Sequence, residues 1–194
     1  MSTDSRVAGY LSPITAAAYD DALDDFLHQV IVGLTGLAGS LVRPRWQHEP
    51  LQRPEFSVNW CSFGLTRAEV DPFAYEHHDP SGEGPTIIER DEILTYGHSF
   101  YGPNAHALAE RFRDGFEVSQ NRDALSSFGL GLVEVQEASK VPSILAERWV
   151  LKIDVPVLYR RRTRRSYPVF TIKSAGIELV TESGSTHISI TNQP

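Results

Sequence analysis

Cysteine is nearly absent from this 194-residue sequence, in which Cys61 is the only example. A single cysteine excludes an intramolecular disulfide and a zinc site built on several cysteines, and it is consistent with a reducing compartment. Long apolar runs are missing as well. No window approaches 18 apolar residues, and no apolar stretch follows a basic region near residue 1. The sequence therefore predicts no membrane span, no signal peptide and no membrane partner.

The motifs of common enzyme families are also missing. The sequence has no G-x-S-x-G, no G-x-x-x-x-G-K-[ST] and no G-x-G-x-x-G after a strand. Cys61 lies in an apolar strand pattern, where a thiol is normally buried and inert. Glu92, His98 and Glu110 could meet in a cleft, but no spacing selects them over other polar residues. We therefore predict a protein that is not an enzyme and that uses no cofactor.

Two polar clusters invite a metal-site interpretation that their geometry does not favour. His77 and His78 are adjacent, and adjacent side chains on an extended chain point to opposite faces. Aspartates at positions 20, 21, 24 and 25 cannot all converge on one ion from a regular helix. Acidic residues are common in a first helical turn, where they face the positive end of the helix dipole. The sequence thus predicts no metal site.

Charge is abundant but unevenly placed. The formal net charge is −7, from 25 acidic and 18 basic residues. Five arginines fall within six residues, which leaves 13 basic against 25 acidic residues elsewhere, a net of −12. This contrast disfavours a protein that coats nucleic acid with its whole surface and favours an oriented interface. The five are Arg160, Arg161, Arg162, Arg164 and Arg165.

The clearest strand pattern occupies residues 149–159, directly before these arginines. Apolar residues from Trp149 to Val157 alternate with Lys152 and Asp154, which predicts a half-buried strand that leads into an arginine-rich turn. Pro156 cannot donate a ladder hydrogen bond, so it indicates an edge, a bulge or the end of the strand. Pro44, in a short strand predicted at 41–46, is a second edge signature. We predict that edge strands marked by Pro44 and Pro156 mediate contacts between subunits.

The remaining periodicities predict an α+β fold with a largely antiparallel or mixed sheet, helices packed on one face, and a C-terminal β-hairpin. Helices are expected at 20–35, from Pro103 to about Phe116, and at 121–128. Further strands are expected at 58–65, 86–101 and 132–135, and the hairpin at 177–181 and 187–191. We divide the chain into an N-terminal arm (1–18), an α+β domain (19–172) and the hairpin extension (173–194).

A series of short motifs in a fixed order resembles the tailed-phage neck or tail terminator family. The motifs are Gly33–Leu37, Val42–Trp46, Ser99–Ala105, Arg113–Gly115, Ser119–Arg122 and Arg164–Val169. The resemblance covers about residues 19–172. It implies a non-enzymatic virion protein, assembled in the cytoplasm of a bacterial host, that forms a hexameric ring on the end of the tail tube. Such a ring stops tube polymerisation and meets the head-side connector and stopper.

Other functions fit the same features. A head-completion or stopper protein, or an oligomeric binding module with no viral role, would also use strand edges and a basic surface. For the five arginines, the first expected partner is an acidic neighbouring subunit, because a ring repeats every charge on every subunit. The second is genomic DNA passing through the channel, where repeated arginines would hold phosphates without reading sequence. A solvated turn with no partner is the remaining alternative.

Overall fold

A computed structural model describes residues 4–15, 17–46, 52–79, 84–141, 143–145, 148–170, 174–181 and 184–191. Its described residues group into two compact units. We call residues 18–72 and 91–163 the core unit, and residues 1–17, 73–90 and 164–194 the terminal unit. No helix within the described part of the chain is long and apolar enough to span a bilayer.

Three helices belong to the core unit: α1 (Asp21–Thr35), α2 (Ala105–Gly115) and α3 (Ser119–Ser127). In α1 the side chains of Leu23, Leu27 and Ile31 are buried at intervals of four residues, which places one apolar stripe against the sheet. Gly36 ends α1 in the left-handed conformation, with φ 72°, and its N–H donates to the Val32 carbonyl. The predicted helix at 20–35 is confirmed.

One flank of α1 is only partly buried. Phe26 and Val30 are half-buried and pack against the edge of the core. Phe26 stacks on Phe128, which follows α3, with ring centroids 4.1 Å apart. The helix therefore fully buries Leu23, Leu27 and Ile31 and leaves Phe26 and Val30 partly exposed.

The strands are β1 (Val42–Pro44), β2 (Trp60–Val70), β3 (Tyr75–His78), β4 (Thr86–Tyr101), β5 (Leu130–Val135), β6 (Ser139–Lys140), β7 (Ser143–Leu145), β8 (Arg148–Val150), β9 (Lys152–Tyr167), β10 (Ser174–Thr181) and β11 (Gly184–Thr191). The main sheet has the order β1-β2-β4-β9-β5, while β3 also pairs with β4 and β6 with β9. β1 is parallel to β2, whereas β2–β4 and β5–β9 are antiparallel. The predicted α+β fold with a mixed sheet is confirmed.

The hydrophobic core lies within the core unit, between the three helices and one face of the sheet. On β4 the buried side chains include Leu94, Tyr96 and Phe100. On β9 they occur at 153, 155, 157 and 159, also with period two. Ala105, Ala109, Phe112 and Phe116 supply the facing stripe of α2. The opposite face of β4 and β9 carries polar and charged residues, and we call it the open face.

Two predictions about the strand at 149–159 are wrong. Trp149 lies outside β9, in the separate β7–β8 hairpin, and is 73% exposed. Pro156 lies inside the sheet, because β9 has β4 on one side and β5 and β6 on the other. The proline is tolerated there because β5 ends opposite Val157 and β6 begins pairing at Asp154. Between them, the Pro156 carbonyl accepts a hydrogen bond from the Gln136 N–H at 2.9 Å.

The terminal unit contains local pairings of its own. β3 pairs with residues 86–89 of β4, and β10 pairs with β11 over eight residue pairs. The predicted C-terminal hairpin is confirmed, but it forms a two-stranded sheet of its own and is not an addition to the main sheet. Residues of the N-terminal segment 4–15 hydrogen-bond to residues 166–170, at and beyond the end of β9.

Candidate interaction surface

The arginine run lies within a continuous strand and not in a turn. β9 extends from Lys152 to Tyr167, so the alternation that buries Val155, Val157 and Tyr159 continues through the arginines. Arg160, Arg162 and Arg164 are exposed on the open face, whereas Arg161 shares the core-side face. The turn predicted for this run is therefore wrong.

β4 supplies carboxylates to the arginines of β9. In the core unit, the Arg162 guanidinium donates to both oxygens of Asp91, at 2.8 and 3.0 Å. In the terminal unit, Arg164 Nε lies 3.7 Å from a carboxylate oxygen of Glu89. The pKa of the Asp91 carboxyl is lowered, mainly by its hydrogen bonds from Arg162. The run is thus partly neutralised within the chain, along neighbouring strands.

Arg161 is the buried member of the run. Its side chain is 8% exposed, and its Nε donates at 2.8 Å to Glu92, whose side chain is 6% exposed. Because desolvating two charges is costly, such a pair persists only where further hydrogen bonds satisfy both groups. Tyr19 Oη donates to the second Glu92 oxygen at 3.1 Å, and Thr163 Oγ1 donates to the same oxygen at 3.5 Å. The Glu92 carboxylate is therefore well satisfied.

The same arginine fixes the chain just before α1. Arg161 Nη1 donates to the Ala18 carbonyl at 2.5 Å, and the guanidinium carbon lies 4.3 Å from the centroid of the Tyr19 ring. A planar guanidinium can both stack on an aromatic ring and donate in its own plane, which a lysine could not do. Arg161 is thus a clamp on residues 18–19 and is not available as a surface charge.

An open groove of about 1020 Å³ lies beside this clamp in the core unit. It is lined by Glu69, Val70, Asp71, Asp91, Glu92, Ile93, Ser126, Gly129, Leu130, Gly131, Val133, Arg160, Arg161 and Arg162. The lining mixes both signs of charge with the exposed apolar side chains of Val70, Ile93 and Val133. Such a mixture is typical of a protein contact surface rather than of an enclosed small-molecule pocket.

A glycine pair on the open face accepts the segment that follows β1. Gly64 and Gly97 are directly opposite each other in β2 and β4. A Cβ on Gly64 would lie 3.1 Å from Trp46 Nε1, and one on Gly97 would lie 3.1 Å from Arg45 Nη1. Arg45 also donates to Ser99 Oγ at 2.7 Å. The sheet surface is therefore shaped to carry Arg45 and the largely exposed Trp46.

The two predicted edge prolines are in different environments. Pro44 is the last residue of β1, which is the terminal strand of the sheet order, so its edge position agrees with the prediction. Pro156 is internal, as described above. Contact of either proline with another subunit stays a prediction. A pattern that could have identified the internal position is the unbroken alternation on both sides of Pro156.

Cys61, His98 and Glu110 belong to residue types that are common in catalysis, and their side chains are buried or hydrogen-bonded within the chain. Burial raises the pKa of the Cys61 thiol and lowers the pKa of His98 to about 3. His98 Nδ1 donates to the Val155 carbonyl at 3.2 Å, and its ring packs on Phe112 at 4.7 Å. Glu110 lies on α2, where it accepts from Arg113 at 2.7 Å. No group of three or more potential metal ligands occurs among the residues that the structure describes.

A comparison with protein families identifies the class of protein that carries this surface. Residues 21–185 match the model described as phage neck terminator protein. The chain belongs to this family. The match begins at the first residue of α1 and ends inside β11, so it includes most of the C-terminal hairpin. A search of curated proteins finds no match to the chain.

Membership of this family establishes the general role of the protein. The protein is a structural neck component of a phage virion, and its work involves other virion components in an oligomeric assembly. The resemblance based on short motifs is confirmed. The family assignment also agrees with a surface that offers contact area and charge.

Proposed function

We propose that this neck protein forms a homo-hexameric ring that caps the tail tube and joins it to the head-side connector or stopper. In this role it stops tube polymerisation and performs no catalysis. The family match over residues 21–185 is the observation that carries the proposal. Assembly would take place in the cytoplasm of the bacterial host, before the neck is incorporated into the virion.

Exposed apolar side chains support assembly from several copies. Trp149 and Ile144 are direct cross-strand partners in the β7–β8 hairpin, and they are 73% and 62% exposed. Trp46 is also largely exposed, on the open face. Large aromatic side chains of this kind are the usual anchors of protein interfaces. They give the proposed ring contacts that do not depend on charge.

The exposed arginines are proposed to face other subunits. Arg160 and Arg162 border the groove, beside the carboxylates of Glu69, Asp71 and Asp91. A ring would present this mixed-charge surface to the next copy, and salt bridges exchanged across the contact would set its register. DNA in the channel is the second proposed partner. The carboxylate of Asp91 beside Arg162 would keep its binding weak, which suits DNA that must move through the neck.

Size and shape provide the first test. Six copies of 21.6 kDa give about 130 kDa, so sedimentation of the purified chain should show one species near that mass. Negative-stain images should show a six-fold ring that binds to the end of tail tubes. A monomer at high micromolar concentration, which also fails to assemble on tubes, would contradict the ring.

Arginine variants separate the two proposed partners. The double variant Arg160→Glu/Arg162→Glu should prevent ring formation if these residues contact a subunit. If they contact DNA, rings should form normally and virions should lose packaged DNA more easily. Arg113→Glu on α2 is the control, because the Arg113 side chain is also partly exposed, at 41%, and is paired in the chain with Glu110. Normal rings and stable virions from the double variant would contradict both roles.

A further inference from the structure

Residues 4–15 of the predicted N-terminal arm, which we call the arm from here on, are held by hydrogen bonds that use both main-chain and side-chain groups of the arm. Residues 166–170, which we call the arm seat, provide the partners. The Ser5 N–H donates to the Pro168 carbonyl at 3.0 Å, and the Ile14 N–H donates to the Ser166 carbonyl at 2.7 Å. The Ser166 N–H donates to Thr15 Oγ1 at 3.0 Å, and the Phe170 N–H donates to Ser5 Oγ at 2.8 Å. Each bond uses at least one main-chain group, so any copy of the chain could form the same set.

The arm leaves its apolar side chains in water. Val7, Tyr10 and Ile14 are exposed, and Tyr10 is 99% exposed. A side-chain contact with the seat is made by the Arg6 guanidinium, which lies 5.0 Å from the centroid of the Phe170 ring. Attachment mainly by hydrogen bonds leaves the contact incomplete, because burial of apolar area normally supplies most of the stabilisation. Within one copy, these three apolar side chains stay exposed and are available to a further surface.

The chain that follows the arm is fixed where it enters α1. Arg161 binds the Ala18 carbonyl and stacks on Tyr19, and Asp20 adopts φ 49°, a left-handed value that is uncommon for an aspartate. The arm therefore has a defined starting point. Twelve residues can extend about 40 Å, which is enough to cross from one copy to the next in an assembly.

We propose that, in the assembled protein, the arm of one copy occupies the arm seat of a neighbouring copy. The hydrogen bonds that join arm and seat within one chain form between chains instead, as in domain swapping. Val7, Tyr10 and Ile14 then lie between two copies and lose their exposure. The inference rests on the proposed assembly of several copies. It identifies the arm and residues 166–170 as the contact that links neighbouring subunits.

Single-cysteine variants test the exchange directly. One chain carries Ser5→Cys and the other carries Phe170→Cys. The two chains have different tags and are co-expressed so that they assemble together. Cys61 is fully buried and does not compete for oxidation. Exchange places the thiol introduced at position 5 of one copy next to the thiol introduced at position 170 of its neighbour. Oxidation should therefore give a covalent dimer that carries both tags, with a mass of about 43 kDa, twice the 21.6 kDa of one chain.

An arm that stays on its own chain cannot give this product, because each chain carries only one of the two introduced cysteines. The double variant Ser5→Cys/Phe170→Cys tests whether positions 5 and 170 are adjacent. It should form an internal disulfide in monomers and a ladder of linked chains in assemblies. Thr15→Cys with Ser166→Cys is a second pair, for the case in which loss of Phe170 disturbs folding. Each single variant alone should give no cross-link between arm and seat.

The outcomes distinguish this inference from the proposed function. Assemblies that form without the mixed disulfide from either pair, while the double variants cross-link within one chain, would overturn arm exchange and leave the ring intact. Failure of the unmodified chain to assemble, alone or on tail tubes, would overturn the ring and the exchange together. A mixed disulfide that forms in assemblies, and that does not form when the chains are diluted to monomers before oxidation, supports both.

Discussion

At the scale of single residues, neighbouring arginines in one run have different roles. Arg161 is buried and binds Glu92, Tyr19 and the Ala18 carbonyl, whereas Arg162 is exposed and binds Asp91. The difference arises because successive residues of a strand point to opposite faces of the sheet. A run of charged residues in a strand therefore contributes side chains to both faces of the sheet, so its members should be mutated separately.

Replacing Arg161 with methionine should cost about 3–5 kcal/mol in the free energy of unfolding, because Glu92 would remain buried without its cation. The measurement is urea unfolding at one fixed protein concentration. Arg162→Met is the matched control and should change stability little, because its pair with Asp91 is exposed to solvent. Arg161→Met/Glu92→Leu should recover much of the loss. Equal effects of the two single variants would contradict the clamp.

His98 should make stability depend on pH in the acidic range. Burial lowers its pKa from 6.5 to about 3. Between these two pH values the unfolded chain therefore binds a proton at His98 and the folded chain does not. The stabilisation is present above pH 6.5 and is lost as the pH falls toward 3, at up to about 1.4 kcal/mol per pH unit. His98→Phe should be less stable at neutral pH, but its slope between pH 6 and 4 should be smaller by this one-proton contribution. An unchanged slope would contradict a neutral, buried His98.

At the scale of elements, the open face of the sheet is shaped by glycine. Gly64→Ala should destabilise the protein by about 1–3 kcal/mol, because the new Cβ would meet Trp46 Nε1 and Arg45 Cβ at 3.1 and 3.2 Å. Gly33→Ala is the control. Its Cβ would meet nothing within 4 Å on α1, so alanine should stabilise the helix by about 0.5–1 kcal/mol. Thermal unfolding of both variants measures this contrast, and a neutral Gly64→Ala would mean that Trp46 does not pack on the sheet.

Periodicity predicts the long elements well and the short ones poorly. The α1 stripe and the limits of β4, Thr86–Tyr101, follow from local patterns of apolar residues. The internal position of β9 is harder to predict, because it depends on pairing with β4 on one side and β5 and β6 on the other. The alternation on both sides of Pro156 is the one local sign of it. The pairing of Glu92 with Arg161 is invisible to local patterns, since the two are 69 residues apart. Charge contrast indicates that the arginines need partners, but not that β4 supplies them.

At the scale of the whole molecule, the protein combines a well-packed core unit with surfaces that are left incomplete. The core unit buries an aromatic cluster and the Arg161–Glu92 ion pair. Large apolar side chains are exposed on the arm and, within the core unit, at Trp46 and on the β7–β8 hairpin. A two-stranded ribbon with an outward Trp–Ile pair has little stability of its own. In a neck protein, assembly is the event that can complete these surfaces.

Trp149 should therefore matter for assembly and not for folding. Trp149→Ser should leave the unfolding midpoint of the monomer nearly unchanged, because the side chain is 73% exposed. If the hairpin anchors a subunit contact, the same change should weaken association by about 2 kcal/mol or more per contact, roughly thirtyfold in the dissociation constant. Sedimentation over a dilution series measures that shift.

Val118→Ala is a suitable control for this measurement, because Val118 is an exposed apolar residue that directly precedes α3. It should leave both folding and association unchanged. A Trp149→Ser variant that unfolds at a much lower temperature would show that the hairpin packs on its own chain. One that folds and assembles like the unmodified protein would show that the tryptophan serves neither purpose, and the subunit contact would then have to be sought at the arm seat and along the groove beside Arg160.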